Sequence, residues 1–146
     1  MVQFLGEHEV PLDEKGRIFV PAEFRRKIPA DSGDTLVIVR GYDRCLSAYP
    51  QSTWEATARR MLQLPQTDRR VRLFVRGILS QATEARLDRQ GRANIPRKLL
   101  ARVGINDRMI VIGALDKMEF WNPSEWIRFM EEADPALEEV AEHLAI

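Results

Sequence analysis

The sequence carries one ten-residue phrase twice, as LDEKGRIFVP at residues 12–21 and as LDRQGRANIP at residues 87–96. Five of the ten positions hold the same residue type in both copies. The similarity continues beyond the phrase, because DTLVIVRGYDRCLSAYP at residues 34–50 aligns with DRMIVIGALDKMEFWNP at residues 107–123. Self-similarity over so much of a chain indicates a duplicated structural unit, and it limits the possible folds more than any single residue does.

Each phrase predicts a tight turn between two short strands. A type I turn favours Asp at its first position and Gly at its fourth, and these are Asp13 and Gly16 in one copy and Asp88 and Gly91 in the other. A glycine in left-handed geometry then forms the bulge of a three-residue hairpin loop. We therefore predict positive φ at both glycines and aspartate carboxylates that accept backbone N–H groups across the turn.

The remainder of each copy predicts a short helix followed by two more strands. A proline ends the strand after each turn, since proline cannot donate to a ladder, and amphipathic helices are expected at residues 22–28 and 97–103. The predicted order in both copies is strand, turn, strand, helix, strand, strand.

Further helices are expected outside the repeated strands. Ser52 to Glu55 resembles a capping box that opens a helix running to Leu64, and a second helix is expected from Asp68 to Leu79. Near the C-terminus, Ser124 precedes a helix, and Pro135 is expected to start a separate, glutamate-rich one.

Composition narrows the class of protein. The 146 residues are 45% hydrophobic and 30% charged, which predicts a soluble globular protein, and no secretion signal or membrane span is visible. A single cysteine excludes an internal disulfide framework. The formal net charge is zero, so binding to nucleic acid requires a local concentration of basic residues.

The doubled D-x-x-G-R phrase, the FLGE segment at residues 4–7 and the C-L-x-x-Y-P run at residues 45–50 resemble the MraZ family, bacterial proteins with two tandem repeats of the AbrB or SpoVT type. The resemblance implies a mainly β fold with flanking helices, built as a swapped-hairpin β-barrel with pseudo-twofold symmetry. It places the repeats at residues 7–54 and 83–126, with a helical connection at 55–82 and a C-terminal helix at 127–146. It also implies a ring-shaped homo-oligomer and transcriptional regulation at the promoter of the division and cell-wall gene cluster, in the cytoplasm and at the nucleoid.

Basic residues around the two turns are the candidate DNA-binding site. An Arg at a turn can contact guanine O6 and N7, whereas its neighbours more readily hold phosphates. The candidates are Arg17, Lys15, Arg25, Arg86, Arg89 and Arg92. A purely structural role is equally open, because Arg17 can pair with Asp13 and Arg92 with Asp88 across the turns.

The alternative function is a ring-forming module whose basic turns bind an acidic protein partner. No catalytic, cofactor or metal motif supports an enzyme, since His8, His143 and Cys45 lack ligand or nucleophile spacing. A hydrolase is the third alternative. No membrane and no small-molecule substrate are expected. Apolar residues on the outer helices predict an oligomer larger than a dimer: Phe74, Trp126, Phe129 and Met130.

Overall fold

A computed structural model describes residues 3–146 of the chain. The first copy contains β1 (Glu7–Pro11), β2 (Arg17–Phe19), α1 (Ala22–Arg25), β3 (Thr35–Arg40) and β4 (Leu46–Pro50). The second contains β5 (Thr83–Arg86), β6 (Arg92–Asn94), α4 (Arg97–Arg102), β7 (Arg108–Gly113) and β8 (Met118–Trp121). The helices outside the copies are α2 (Gln51–Leu62), α3 (Arg69–Leu79) and α5 (Pro123–Leu144). The predicted order of elements within each copy is confirmed.

The strands of the two copies interlock in one antiparallel sheet of order β1-β7-β8-β4-β3-β5. The first strand of each copy pairs with the other copy, since β1 pairs with β7 and β5 pairs with β3. Replacing every strand by its counterpart returns the same order read backwards. The duplication therefore produces a pseudo-twofold axis, which lies between β4 and β8, where Leu46 is opposite Phe120 and Ser47 is opposite Glu119.

The remaining strands, β2 and β6, pair with each other in a separate two-stranded ribbon. Because they leave the main sheet, that sheet is open, with β1 and β5 at its edges, and it does not close into the expected barrel. The hairpin expected at each phrase is also only partly correct. Within residues 7–19 the turn is present, but its two strands belong to different sheets, because β1 pairs with β7 and β2 pairs with β6, both from the other copy.

The main core lies between the six-stranded sheet, the ribbon and the short helices α1 and α4. Its largest fully buried side chains include Phe4, Phe24, Phe120, Ile18, Ile95 and Leu99. Burial of each such side chain stabilises the fold by about 1.5–3 kcal/mol relative to its exposure. Both copies contribute to this cluster, so neither copy has a complete core of its own.

The opposite face of the sheet is covered by the outer helices. Alternation along β8 turns Phe120 into the core and Trp121 to the other face, where its ring lies 5.1 Å from Trp126 and 5.0 Å from Phe129 of α5. On the other half of this face, the ring of Tyr49 lies 5.5 Å from that of Trp54 in α2. The aromatic residues of α5 nearest the sheet therefore pack this helix against the sheet.

Several helix boundaries differ from the sequence prediction: α1 ends at Arg25 instead of residue 28, and α2 ends at Leu62 instead of Leu64. Ser52 does not form a capping box, because α2 already begins at Gln51. The backbone N–H of Ser52 instead donates a 3.1 Å hydrogen bond to the hydroxyl of Ser32, which lies 20 residues earlier in the chain. Pro135 does not start a new helix and lies inside α5. Its missing N–H and its ring leave the carbonyl of Glu131 without a helical partner, but Glu131 is exposed, so water can solvate that carbonyl.

Candidate nucleic-acid interface

The turn of the first copy is organised by Asp13. Its Oδ1 accepts 2.9 Å hydrogen bonds from the backbone N–H groups of both Lys15 and Arg17. Its carbonyl oxygen accepts from the N–H of Gly16 at 3.0 Å, and Gly16 has a φ of +79°. A side chain is costly at that φ, which is why glycine stands there.

The turn of the second copy repeats this geometry. Oδ1 of Asp88 accepts from the backbone N–H groups of Gln90 and Arg92, each at 2.9 Å. The N–H of Gly91 donates to the Asp88 carbonyl at 2.9 Å, and its φ is +81°. The predicted positive φ at both glycines and the predicted carboxylate contacts are therefore confirmed.

The hydrogen bonds also change the acidity of the two aspartates. The backbone N–H of Arg17, followed by its guanidinium, holds the pKa of Asp13 below its ordinary value. Asp88 has its pKa lowered in the same way by the backbone N–H and then the guanidinium of Arg92. Both carboxylates are therefore fully ionised at neutral pH and can anchor a cation.

In each turn, the aspartate forms an ion pair with the arginine of the same D-x-x-G-R motif. Arg17 Nε donates to Asp13 Oδ2 at 2.7 Å, and Arg92 Nε donates to Asp88 Oδ2 at the same distance. Because both pairs are partly exposed and water screens them, they contribute little to stability. The terminal guanidinium nitrogens of both arginines find no acceptor among residues 3–146, so the pair orients each guanidinium and leaves its end open to another ligand.

Each turn is also hydrogen-bonded to residues of the opposite copy. The Gly91 carbonyl accepts from the N–H of Val20 at 3.0 Å, next to Arg25, whose Nε donates to the Val20 carbonyl at the same distance. The side chain of Arg25 occupies the space over Gly91 that a Cβ would need. Arg97, at the start of α4, donates from Nη2 to the carbonyl of Glu14 at the tip of the first turn. Each turn is thus fixed by residues of the other copy.

The ribbon places a strip of four residues on the surface. In its register Arg17 lies opposite Asn94 and Phe19 lies opposite Arg92, while the central pair, Ile18 and Ala93, is buried. Since side chains alternate along a strand, the four outer residues share the exposed side of the ribbon. Sequence reasoning missed Phe19 and Asn94, because their common face appears only when β2 is known to pair with β6.

The other predicted basic residues lie either at the two turns or away from the ribbon. Lys15 and Arg89 are exposed on the two turn tips, and Arg25 packs against the second turn. Arg86 is exposed at the end of β5, opposite Thr35 at the edge of the main sheet, and is not part of the ribbon. Ribbon and turns therefore gather five of the six candidates.

The remaining candidate side chains have structural surroundings. The ring of His8 packs edge-on against Phe24 at 5.1 Å, with its Nε2 3.8 Å from a Glu23 carboxylate. Burial, together with the charge of Glu119, raises the pKa of the Cys45 thiol to about 12. Across residues 3–146 no three His, Cys, Asp or Glu side chains are grouped to hold a metal ion. No helix in this range is long and apolar enough to cross a membrane.

Comparison with known proteins finds the same duplication. The family described as "MraZ protein, putative antitoxin-like" matches the chain twice, over residues 3–77 and 78–145. The chain belongs to the MraZ family. Two curated members, both named transcriptional regulator MraZ, match over 141 residues, which is 97% of this chain and 96% of each relative. The protein of Ligilactobacillus salivarius (strain UCC118) is 37% identical, and that of Syntrophomonas wolfei subsp. wolfei (strain DSM 2245B / Goettingen) is 42% identical.

Membership of the MraZ family confirms the resemblance that the doubled phrase carries. The names of the relatives describe regulators of transcription and not enzymes. The repeat boundaries at 7–54 and 83–126, the swapped-hairpin arrangement and the roles of the individual site residues stay predictions.

Proposed function

We propose that this protein is a sequence-specific, DNA-binding transcriptional regulator that acts at the promoter of the division and cell-wall gene cluster and is found at the nucleoid. One observation carries the proposal: the ribbon of β2 and β6 presents two arginines, each oriented by an aspartate, at diagonally opposite positions. A two-stranded β-ribbon fits the major groove of B-DNA. The names of the MraZ-family relatives support the same function.

The roles of the basic residues follow from their anchoring. Arg17 and Arg92 are held through Nε, which leaves their terminal nitrogens for the acceptors O6 and N7 of guanine. Lys15 and Arg89 are exposed on the turn tips, and Arg25 lies beside the second turn. These three residues are suited to phosphates, since such contacts need charge more than fixed geometry. Arg86 extends the basic surface beyond the ribbon to the edge of the sheet.

Net neutrality does not oppose this function, because the charges are separated along the chain. The terminal helix α5 carries seven acidic residues and one arginine. Basic residues are correspondingly concentrated around the turns, while those of α2 and α3 lie outside the ribbon. A local basic face of this kind supplies the salt-dependent attraction that DNA binding requires.

The test is a binding titration against duplex DNA from upstream of the gene's own cluster and against a scrambled duplex, at several salt concentrations. Arg17→Ala is compared with Arg59→Ala, which removes the same charge from α2, outside the ribbon. We expect preference for the upstream duplex, lost in Arg17→Ala and kept in Arg59→Ala. Absence of binding to either duplex would instead favour the alternative function, an acidic protein partner.

We further propose that the protein assembles head to tail into rings through α5. Apolar residues follow α5 at alternating spacings of four and three: Trp126, Met130, Ala133, Leu137, Val140 and Leu144. This spacing is the seam of a coiled coil. Its first part packs on Trp121, whereas Leu137, Val140 and Leu144 are each half or more exposed. The end of α5 therefore has an apolar stripe that the rest of residues 3–146 leaves exposed.

The occupant we propose for this stripe is α3 of a second copy of the chain. Leu73 of α3 is 70% exposed, and Arg69 and Arg76 lie four residues before and three after it on the same side of the helix. Residues 51–82 contain six arginines and two acidic residues, so this surface is opposite in charge to α5. Contacts between unlike surfaces propagate from copy to copy and close into a ring when the rotation permits.

The members of the expected apolar set differ in how well they suit this role. Trp126 and Phe129 are partly buried against Trp121, and Met130 is partly buried beside them. Phe74 is about half exposed, in the cleft that it lines with Trp54. The contact is therefore assigned mainly to the outer half of α5.

A further inference from the structure

We infer that Asn94 reads an adenine next to the guanine read by Arg17, and that the ribbon recognises a non-palindromic element because Phe19 occupies the position related to Asn94 by the pseudo-twofold axis. The inference rests on the proposed DNA-binding function and adds a specificity-determining residue to it.

The first support is that Asn94 is available. It is exposed on β6, and its carboxamide has no hydrogen-bond partner among residues 3–146. Asn is disfavoured in strands, where β-branched and aromatic residues fit better. No side-chain hydrogen bond within residues 3–146 compensates for this choice, so the carboxamide is available to a ligand.

The second support is the distance between Asn94 and Arg17. The two residues are directly opposite in the register of the ribbon. Opposite residues of an antiparallel pair have Cα atoms about 4.5–5.5 Å apart, and successive base pairs are about 3.4 Å apart along the helix. Two such side chains can therefore reach neighbouring base pairs in one groove.

The third support is the chemistry of the two side chains. Asn matches N6 and N7 of adenine with one donor and one acceptor, as Arg matches O6 and N7 of guanine with two donors. Asp13 fixes the direction of the Arg17 guanidinium through Nε. The pair is consequently matched to a guanine and an adenine at adjacent positions.

The position of Phe19 breaks the symmetry. The repeat shift of 75 residues relates Arg17 to Arg92 and Phe19 to Asn94, so the arginines are equivalent and the other two side chains are not. Phe19 has no polar atoms in its side chain, and its ring lies 5.8 Å from Cζ of Arg92, where it supports that guanidinium. It can contact a thymine methyl group but cannot match adenine.

A symmetric reader selects a palindrome, because each half sees the same bases. Here the halves agree at the arginines and differ beside them. The recognised element should therefore carry a guanine on each side, an adenine beside only one of them, and a single preferred orientation.

The experiment selects bound sequences from duplexes with a randomised central segment, using the intact wild-type protein, Asn94→Ala and Phe19→Asn. For the wild type we expect a non-palindromic element. Asn94→Ala should lose its discrimination for the adenine by about tenfold or more while keeping both guanines. Phe19→Asn should gain a second adenine and select a nearly palindromic element.

Controls separate this inference from the function on which it rests. Both residues are exposed, so the thermal unfolding midpoint of each variant should stay close to that of the wild type. Unchanged selection by Asn94→Ala, or a palindromic element selected by the wild type, would overturn the inference and leave the proposed function standing. Failure of the wild-type protein to enrich any sequence would overturn both.

Discussion

The carbonyl oxygen of Gly16 accepts a 3.0 Å hydrogen bond from the backbone N–H of Ile95, so the turn of one copy is bonded to the strand that follows the turn of the other. Gly91 and Val20 form the reciprocal bond at the same distance. The doubled phrase therefore closes the fold at the same place where it presents the arginines. Stability and the geometry of the proposed interface depend on the same two turns.

Replacement of Gly16 by alanine should destabilise the protein by ~1 kcal/mol or more, because its φ is positive. A Cβ there would also lie 3.0 Å from the carbonyl oxygen of Ile95. Urea unfolding measures the effect. Gly77→Ala is the matched control, since Gly77 lies in α3 with open space around it and its replacement should be neutral or slightly stabilising. Equal stabilities of the two variants would contradict the assigned role of the turn.

Replacement of both turn aspartates by asparagine should remove part of the pH dependence of stability. The pKa values of Asp13 and Asp88 are lowered from 3.8 in the folded protein, so their contribution is fully present above pH 3.8 and is lost as the pH falls through the lowered values. The difference in urea midpoint between wild type and variant should be constant from neutral pH down to that region and should shrink below it. A difference that already declines near neutral pH would exclude this origin; Asp134→Asn on exposed α5 is the control.

The thiol of Cys45 should be unreactive in the native protein. It is buried, its Sγ contacts the carbonyl oxygen of Tyr42 at 3.1 Å, and its pKa is raised to about 12, so thiolate is scarce at neutral pH. A chromogenic disulfide reagent at neutral pH should label it slowly in buffer and rapidly in denaturant. Rapid labelling of the folded protein would show that this part of the sheet opens readily.

Arg17→Ala should weaken binding to the upstream duplex more than Arg92→Ala. The ion pairs of the two arginines are equal in length, but Arg17 lies opposite Asn94, which can bind a second base, whereas Arg92 lies opposite the apolar Phe19. A base-reading arginine should cost ~1–3 kcal/mol per contact with loss of sequence preference, and a phosphate contact should lower affinity evenly and reduce the salt slope. Titrations of both variants at several salt concentrations distinguish these cases. Unchanged affinity of a correctly assembled Arg17→Ala variant would show that the motif has only a structural role.

Charge reversal should break and then restore the proposed contact between copies. Arg69→Glu with Arg76→Glu on α3 should reduce the assembly, and adding Asp134→Lys and Glu138→Lys on α5 should recover it, because opposite charges again face each other. Gel filtration with light scattering gives the mass. A wild-type mass of 16.8 kDa, that of one chain, would contradict assembly, and a failed recovery with a normal wild-type oligomer would contradict only this choice of surfaces.

Much of the turn chemistry was predictable because it is local. Asp13 and Gly16 lie three residues apart, and the carboxylate and the positive φ they require follow from turn geometry alone. The order of strands and helices within each copy could likewise be predicted from alternation and from Pro21 and Pro96. The start of α2 could not, since the Ser32 hydroxyl that binds the N–H of Ser52 comes from a different part of the chain.

The duplication by itself determined that the protein is built from two equivalent units, since equivalent local sequences form equivalent turns, strands and helices. Only the tertiary structure decided how those units combine. Pairing between strands depends on backbone hydrogen bonds that carry no residue label, so the sequence could not show that β2 leaves its neighbour β1 for β6. That pairing opens the main sheet and brings Asn94 opposite Arg17, 77 positions earlier in the chain, onto one exposed face.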